Sequence, residues 1–250
     1  MTATAFERSV SALTEGQTLR VWSVIVTIFG DLAQAPGQTL SGRALARLCA
    51  PMGLRDEAQR VALHRLRKEG WIESRRDGRQ SHYGLTDWGR AQARAASPRI
   101  YGPAPAGPLY LWVTETAAEP RADVVAIAPN LALSTAIDGP PGSMVQQVAP
   151  EALPGWMRAR VADPALVAEA ARLTAALERL RTELPKITDP AQQAVLRVLM
   201  VHGWRRIALK LPLLPDAAFP DGWQGAAARA HLGALLQALP RPAPAALEPA

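Results

Sequence analysis

The chain has 250 residues, of which 48% are hydrophobic and 20% charged, a composition typical of a soluble globular protein with one to three domains. The single cysteine, Cys49, excludes an internal disulfide and fits a reducing compartment. Because there is neither a signal peptide nor a run of about 20 apolar residues, we expect a cytoplasmic protein. The net charge of +6 lies wholly in residues 1–100, which carry 15 Lys and Arg against 9 Asp and Glu, whereas residues 101–250 carry 13 of each. A net positive charge confined to one segment indicates a module that binds a polyanion.

The first hundred residues predict a set of helices followed by a β-hairpin. Residues 1–16 are polar, and we expect them either to be frayed or to form a short helix. Ser41 is expected to cap one helix, Gly70 to end the next, and the Asp77-Gly78 pair to form a hairpin turn. The predicted elements are helices at 18–32, 41–49 and 56–69, strands at 71–76 and 80–85, and a fourth helix from Thr86 to about Ala96.

This order of elements predicts an N-terminal winged helix-turn-helix, in which a helix enters the DNA major groove and a hairpin lies against the backbone. On the helix at 56–69 we expect Ala58, Val61, Ala62 and Leu66 to face the protein. The opposite face taken alone is slightly more typical of a solvated charged helix, but the arginine-rich hairpin that follows favours DNA. We expect residues near the helix start to read base edges and the later cations to contact phosphates. The predicted DNA-binding residues are Gln59, Arg60, His64, Arg67 and Lys68 on the helix, and Arg75, Arg76, Arg79, Gln80 and His82 on the hairpin.

The remainder of the chain predicts a small α+β module and then helices. A Gly/Pro-rich linker at 102–108 marks a domain boundary. Strands are predicted at 109–114, 124–128 and 131–136, with a weaker strand at 145–148, and helices at 164–184, 190–209 and 225–239. The predicted domains are 1–100, 109–160 and 161–240, followed by a Pro/Ala-rich tail at 241–250 that we expect to be disordered.

Four segments resemble the PaaX family of transcriptional repressors of phenylacetate catabolism. They are GWIESRRDGRQSHYGLTDWG at 70–89, IVTIFGD at 25–31, HGWRRIALKLPLLP at 202–215 and PDGWQGAAARA at 220–230. The resemblance implies an α+β multidomain protein with a winged helix, a central ferredoxin-like domain and a C-terminal helical domain for effector response and dimerisation. It also implies a homodimer that phenylacetyl-CoA or a related acyl-CoA releases from operator DNA.

For the effector we predict a site at Trp204, Arg205 and Arg206, since arginines can hold CoA phosphates and an indole can stack on a ring. The alternative is that Trp204 packs between helices and the two arginines form surface ion pairs. No metal site is predicted, because the four histidines are scattered without the spacing of metal ligands. No catalytic motif or bound cofactor is predicted either. Two other functions stay open: an enzyme with a nuclease-like or thioesterase-like domain targeted by the winged helix, and a protein-interaction adaptor.

Overall fold

The computed structural model describes residues 3–78, 80–119 and 121–248. Contacts within the chain divide them into two compact units. The first unit contains the described residues up to Tyr101, Ala175–Arg205 and those from His231 onward; the second contains Gly102–Thr174 and Arg206–Ala230. These units cross the predicted boundary at residue 161. That the ranges 1–100, 109–160 and 161–240 are three independently folding domains therefore stays a prediction.

The N-terminal part of the first unit contains helices and a three-stranded antiparallel sheet. Its helices are α1 (Ala5–Thr14), α2 (Val21–Leu32), α3 (Gly42–Cys49), α4 (Asp56–Lys68) and α5 (Asp87–Tyr101), and its strands are β1 (Leu40–Ser41), β2 (Ile72–Asp77) and β3 (Gln80–Leu85). The strand order is β1-β3-β2. The predicted helices at 41–49 and 56–69 and the predicted hairpin are thus confirmed to within a residue or two.

Local hydrogen bonds explain where these helices begin. Ser41 Oγ accepts from the amide of Ala44 and caps α3 as predicted. At the start of the chain the structure has the short helix and not a frayed segment, because Thr4 and Glu7 form a reciprocal capping box that satisfies two free amides of α1. Two further bounds differ: α2 begins at Val21 rather than Thr18, and α5 continues beyond Ala96 to Tyr101.

The core of the first unit is built around α2, whose Val24, Ile25, Ile28 and Phe29 have no exposed surface. Leucines of α3 and α4 are also buried, so the helix pair presents an apolar side to the core. Cys49 is buried at the end of α3, where desolvation raises the pKa of its thiol to about 12. Such a thiol stays protonated, as expected of a small core residue.

The first unit also contains a buried ionic network that no sequence pattern predicts. Asp31, at the end of α2, accepts from Arg197 Nε (2.7 Å, Oδ2) and Nη2 (2.8 Å, Oδ1). The hydroxyl of Tyr101 donates to the same carboxylate at 3.0 Å, and Arg197 Nη1 donates to the carbonyl of Leu239 at 2.5 Å. Because both ends of the guanidinium and both carboxylate oxygens are satisfied, this geometry compensates the desolvation of the two charges.

The prediction of a disordered tail is wrong for residues 241–248. Leu247 is buried, Arg241 lies over the ring of Tyr101, and the Glu248 carboxylate accepts from the amide and the hydroxyl of Ser41. The Pro/Ala-rich composition is typical of disorder, but these three anchors supply contacts that composition does not reveal. Residues 249–250 lie outside the described residues.

The second unit contains a four-stranded antiparallel sheet. Its strands are β4 (Leu109–Val113), β5 (Val124–Ala128), β6 (Leu131–Ser134) and β7 (Met144–Val148), in the order β5-β6-β4-β7. Trp112 is buried against this sheet and donates its indole N–H to the carbonyl of Ala136 at 3.1 Å. A ferredoxin-like domain carries helices in its crossovers, but no helix occurs among the described residues 114–123 and 135–143. The structure therefore gives an α+β fold, and the ferredoxin-like assignment stays a prediction.

The remaining helices agree closely with the sequence pattern. They are α6 (Gly155–Arg158), α7 (Pro164–Glu183), α8 (Pro190–Ala208) and α9 (Gly225–Ala238). The last three confirm the predicted helices to within one residue at either end, since each begins or ends beside the Pro and Gly residues that predicted it. No helix in the described ranges combines the length and hydropathy that crossing a bilayer requires.

Candidate nucleic-acid interface

The outward face of α4 differs in rotation from the predicted face. The buried side chains are Gln59, Ala62, Leu63 and Leu66, whereas Val61 is 66% exposed. With steps of about 100° per residue, the centre of the opposite face passes through Glu57, Val61, His64 and Lys68. The prediction that Val61 faces the core is therefore wrong. We call the exposed side chains of this helix, from Glu57 to Lys68, the α4 face.

The prediction that Gln59 reads bases is also corrected, because the side chain is only 4% exposed. Its Nε2 donates to the carbonyl of Gly42 at 3.3 Å, which ties α4 to the start of α3. Its Oε1 is buried without a hydrogen-bond partner among the described residues. In this position Gln59 holds two helices together and presents no amide to a ligand.

The other four predicted residues of α4 are exposed: Arg60, His64, Arg67 and Lys68. Arg60 Nε makes one weak bond to the carbonyl of Asp56 at 3.4 Å, which leaves its terminal nitrogens available. Among the described residues, no carboxylate lies within 4.0 Å of the charged groups of Arg60, Arg67 or Lys68. These three cations can therefore accept an external anion without first breaking an ion pair.

Arg65 is fixed differently from its neighbours. Its Nε donates to Glu69 at 2.7 Å, and its guanidinium lies 5.4 Å from the ring centroid of Trp22 on α2. Because both contacts restrain α4 against its own C-terminus and against α2, Arg65 positions the helix.

The β2–β3 hairpin places Arg75 and Arg76 on opposite sides. Arg75 is opposite His82 and Arg76 is opposite Ser81 in the β2–β3 register. Successive side chains alternate between the two sides of a strand, so Arg75 and His82 share one side and Arg76 lies on the other. Arg75 and Arg76 are exposed, while Gln80 and His82 are half-buried. Arg79 lies outside the described residues.

The three predicted effector residues are not brought together. Consecutive helical residues point in different directions, and on α8 they have different partners. Trp204 has no exposed surface and donates its indole N–H to the carbonyl of Ile100 at 3.0 Å. Arg206 pairs with Glu169 at 3.1 Å within the second unit. Trp204 and Arg206 thus have the structural roles that were the alternative for them.

Arg205 alone faces a cavity. The cavity measures about 40 Å³, room for a few water molecules, and Val26, Gly30, Ser97 and Tyr101 are among its lining residues. Arg205 Nη1 donates to the hydroxyl of Ser23 at 3.2 Å. Burial lowers the pKa of this guanidinium from its ordinary value, which still leaves it charged at neutral pH. A partly buried cation without a carboxylate partner in the described residues makes this cavity a candidate for an anionic group.

In the described part of the chain, no three His, Cys, Asp or Glu side chains lie close enough together to bind a metal ion.

Comparison with known proteins was informative for both ends of the chain. Residues 20–89 match the family described as PaaX-like protein, and residues 155–248 match the PaaX-like protein C-terminal domain. The chain is 30% identical over 259 residues to the "Transcriptional repressor PaaX" of Escherichia coli (strain K12), covering 90% of this chain and 81% of that protein.

A solved structure, "Uncharacterized protein Rv0674 from Mycobacterium tuberculosis", aligns with a TM-score of 0.47 and 20% identity, covering 89% of this chain and 96% of that one. A likeness of this degree adds no argument. The two family matches and the curated relative agree, and the chain belongs to the PaaX family of transcriptional repressors.

Proposed function

We propose that this repressor binds duplex DNA through the α4 face and the β2–β3 hairpin, as a winged helix-turn-helix does, and that an acyl-CoA thioester releases it. The observation that carries the DNA-binding proposal is the α4 face itself. Three of its cations are exposed and have no carboxylate partner among the described residues, while the residues behind them are packed in the core. A helix of this kind fits the width of the major groove.

The residues of the face take different roles by position. Arg60, near the helix start, is suited to donate to guanine O6 and N7, and His64, one turn later, to a base edge or a phosphate. Arg67 and Lys68, in the last turn, are suited to phosphates, which fix register without reading sequence. On the hairpin, the exposed Arg75 and Arg76 are suited to further phosphates along the DNA backbone. The half-buried Gln80 and His82 are suited to add to these backbone contacts. For Arg79 the proposal rests on its place in the sequence alone.

The proposal includes a homodimer. Two copies of α4 related by twofold symmetry would enter major grooves one helical turn apart or a multiple of it, on a pseudo-palindromic operator. The family resemblance supports an operon for aromatic-acid catabolism of the phenylacetate type as the regulated target.

For the effector we propose that Arg205 holds an anionic group of phenylacetyl-CoA or a related acyl-CoA. The cavity at Arg205 is lined by α2, α5 and α8 and is too small for such a ligand as it stands. Binding would therefore favour a state in which α5 and α8 are further apart. Because α5 follows directly on the hairpin in the chain, that state would present the hairpin and α4 differently to DNA. The effector acts only if it binds the two states with different affinity.

A titration of the full chain against its own promoter fragment tests the DNA-binding proposal. We expect an Arg60→Ala/His64→Ala double variant to lose affinity for that fragment by at least about 30-fold, since two lost base contacts at about 1–3 kcal/mol each total about 2 kcal/mol or more. Wild-type affinity should fall steeply between about 50 and 200 mM salt, because cations bound to phosphates release counterions.

The matched control is Arg172→Ala, which removes an exposed arginine from α7 and should leave both quantities unchanged. A wild-type affinity that ignores salt would contradict the proposal and favour a protein-interaction adaptor. Cleavage of the fragment in the presence of divalent metal would favour the enzyme instead.

A further inference from the structure

Val61 is an apolar side chain in a surface otherwise made of charged groups. It is 66% exposed, and its neighbours three and four positions away on the helix are Glu57, Ala58, His64 and Arg65. Single exposed hydrophobic residues are common on protein surfaces and indicate nothing by themselves. The position of Val61, however, is central to the face, since four buried residues define the opposite side of the helix.

The rotation of α4 places Val61 on the side of the helix that a receiving groove would face. Helical steps of about 100° place Glu57, Val61, His64 and Lys68 on one line pointing away from the core. Arg60 and Arg67 lie on one side of that line, and Arg65, held by Glu69 and Trp22, on the other. A valine on this line is one turn from the helix start, in the part that meets base edges.

The chemistry of valine narrows what it can recognise. Its side chain has no donor or acceptor, and in a helix its χ1 is restricted to one preferred rotamer, so its two methyl groups point in a fixed direction. Among the base edges in the major groove, the C5-methyl group of thymine is the apolar feature. Arg60 and His64, which lie on one side of Val61, can donate to neighbouring bases while the methyl groups meet.

We infer that Val61 is a specificity-determining residue that contacts a thymine C5-methyl group in each half-site. The inference rests on the proposed function, because it requires α4 to enter the major groove. It adds an apolar contact to a face that sequence analysis treated as polar only. Losing one methyl–methyl contact should weaken binding about fourfold, the value expected for removing one buried carbon from apolar contact.

The experiment uses the full chain and a duplex selected by the wild-type protein from a randomised pool. Each thymine of the selected duplex is replaced, one at a time, by deoxyuridine, which lacks only the C5-methyl group. We expect one thymine in each half-site at which this replacement weakens wild-type binding about fourfold and leaves the binding of Val61→Ala unchanged. Alanine is the best helix former, so this variant should melt no lower than the wild type.

Ile137→Ala is the matched control, because Ile137 is 62% exposed and lies outside α4. This variant should keep the full deoxyuridine penalty. If the duplex binds but every deoxyuridine penalty is the same in wild type and Val61→Ala, the Val61 inference is overturned while the proposed function stands. If no duplex is enriched or binding does not depend on salt, both are overturned. A change of oligomeric state in Val61→Ala, with penalties intact, would identify Val61 as a subunit contact and also overturn the inference.

Discussion

The α4 face and the Asp31–Arg197 network use the same kinds of charged side chain for opposite purposes. In the network, a buried guanidinium and a buried carboxylate satisfy each other within 2.8 Å. On the face, Arg60, Arg67 and Lys68 are exposed and have no carboxylate nearby among the described residues. A buried charge needs a partner within the fold, whereas exposed cations without such a partner are available to a polyanion. Environment, rather than residue type, separates the cations that are paired in the core from those that are available to a ligand.

The strongest way to break this comparison is to remove one partner of the buried pair. We expect Asp31→Ala to lower the free energy of unfolding by about 3–5 kcal/mol, because Arg197 would stay buried without its counter-charge. Urea unfolding followed by circular dichroism measures the loss. The fraction that stays folded should bind DNA as the wild type does, since Asp31 is remote from the α4 face in sequence and is fully buried.

A double variant sharpens the result. Asp31→Leu/Arg197→Met removes both charges and should recover most of the stability, as buried pairs replaced by apolar residues of similar volume often do. If Asp31→Ala unfolds at the same urea concentration as the wild type, the network is not the structural element described here.

The second prediction concerns Arg205, which bonds to the Ser23 hydroxyl and has no carboxylate partner among the described residues, whereas Arg206 on the same helix pairs with Glu169. Arg205→Ala should raise the concentration of phenylacetyl-CoA needed to release half the DNA by at least about tenfold, since a hydrogen bond to a charged group contributes about 1.5–3 kcal/mol. Affinity for DNA without effector should not change. A mobility-shift titration with the thioester measures both.

Arg206→Ala is the control for Arg205, because it breaks the pair with Glu169 and leaves the cavity lining intact. It should retain the wild-type response. An equal loss of response in both variants would indicate a general effect of α8, and an unchanged response in Arg205→Ala would remove the cavity as the effector site.

The sequence predicted the elements of this chain well because their signals are local. Ser41 and Gly70 mark the ends of helices through their own backbone and side-chain geometry, and the Asp77-Gly78 turn lies where it was expected. Such features depend on a few neighbouring residues. A single sequence contains all of that information.

What the sequence did not reveal depends on distant partners. Asp31 and Arg197 are 166 residues apart, and Glu248 meets Ser41 across 207 residues. No local pattern around Glu248 distinguishes this Pro/Ala-rich tail from a disordered one. Arg205 was predicted together with Trp204 and Arg206, but only tertiary packing shows which of the three faces a cavity.

The rotation of α4 was missed for a more specific reason. Hydrophobic periodicity assigns apolar residues to the core and polar ones to solvent, and this helix carries one exception of each kind. Val61 is apolar and exposed, and Gln59 is polar and buried. Because Gln59 was placed outside and Val61 inside, the predicted outward face of α4 was turned away from the observed one.

The smallest expected effect comes from Gln59, on the buried side of the same helix. Gln59→Met keeps the length of the side chain and removes its amide. The Oε1 of that amide is buried without a hydrogen-bond partner in the described part of the chain, and its Nε2 makes one long bond of 3.3 Å. Loss of that bond costs about 0.5–1.5 kcal/mol, and relief of the unsatisfied oxygen offsets about the same amount. We expect the unfolding free energy to change by less than about 1 kcal/mol and the ranking of selected DNA sequences to stay as in the wild type. A shift in that ranking, at unchanged stability, would mean that Gln59 reaches the bases in the complex. The boundary between the core side and the binding side of α4 would then have to be redrawn.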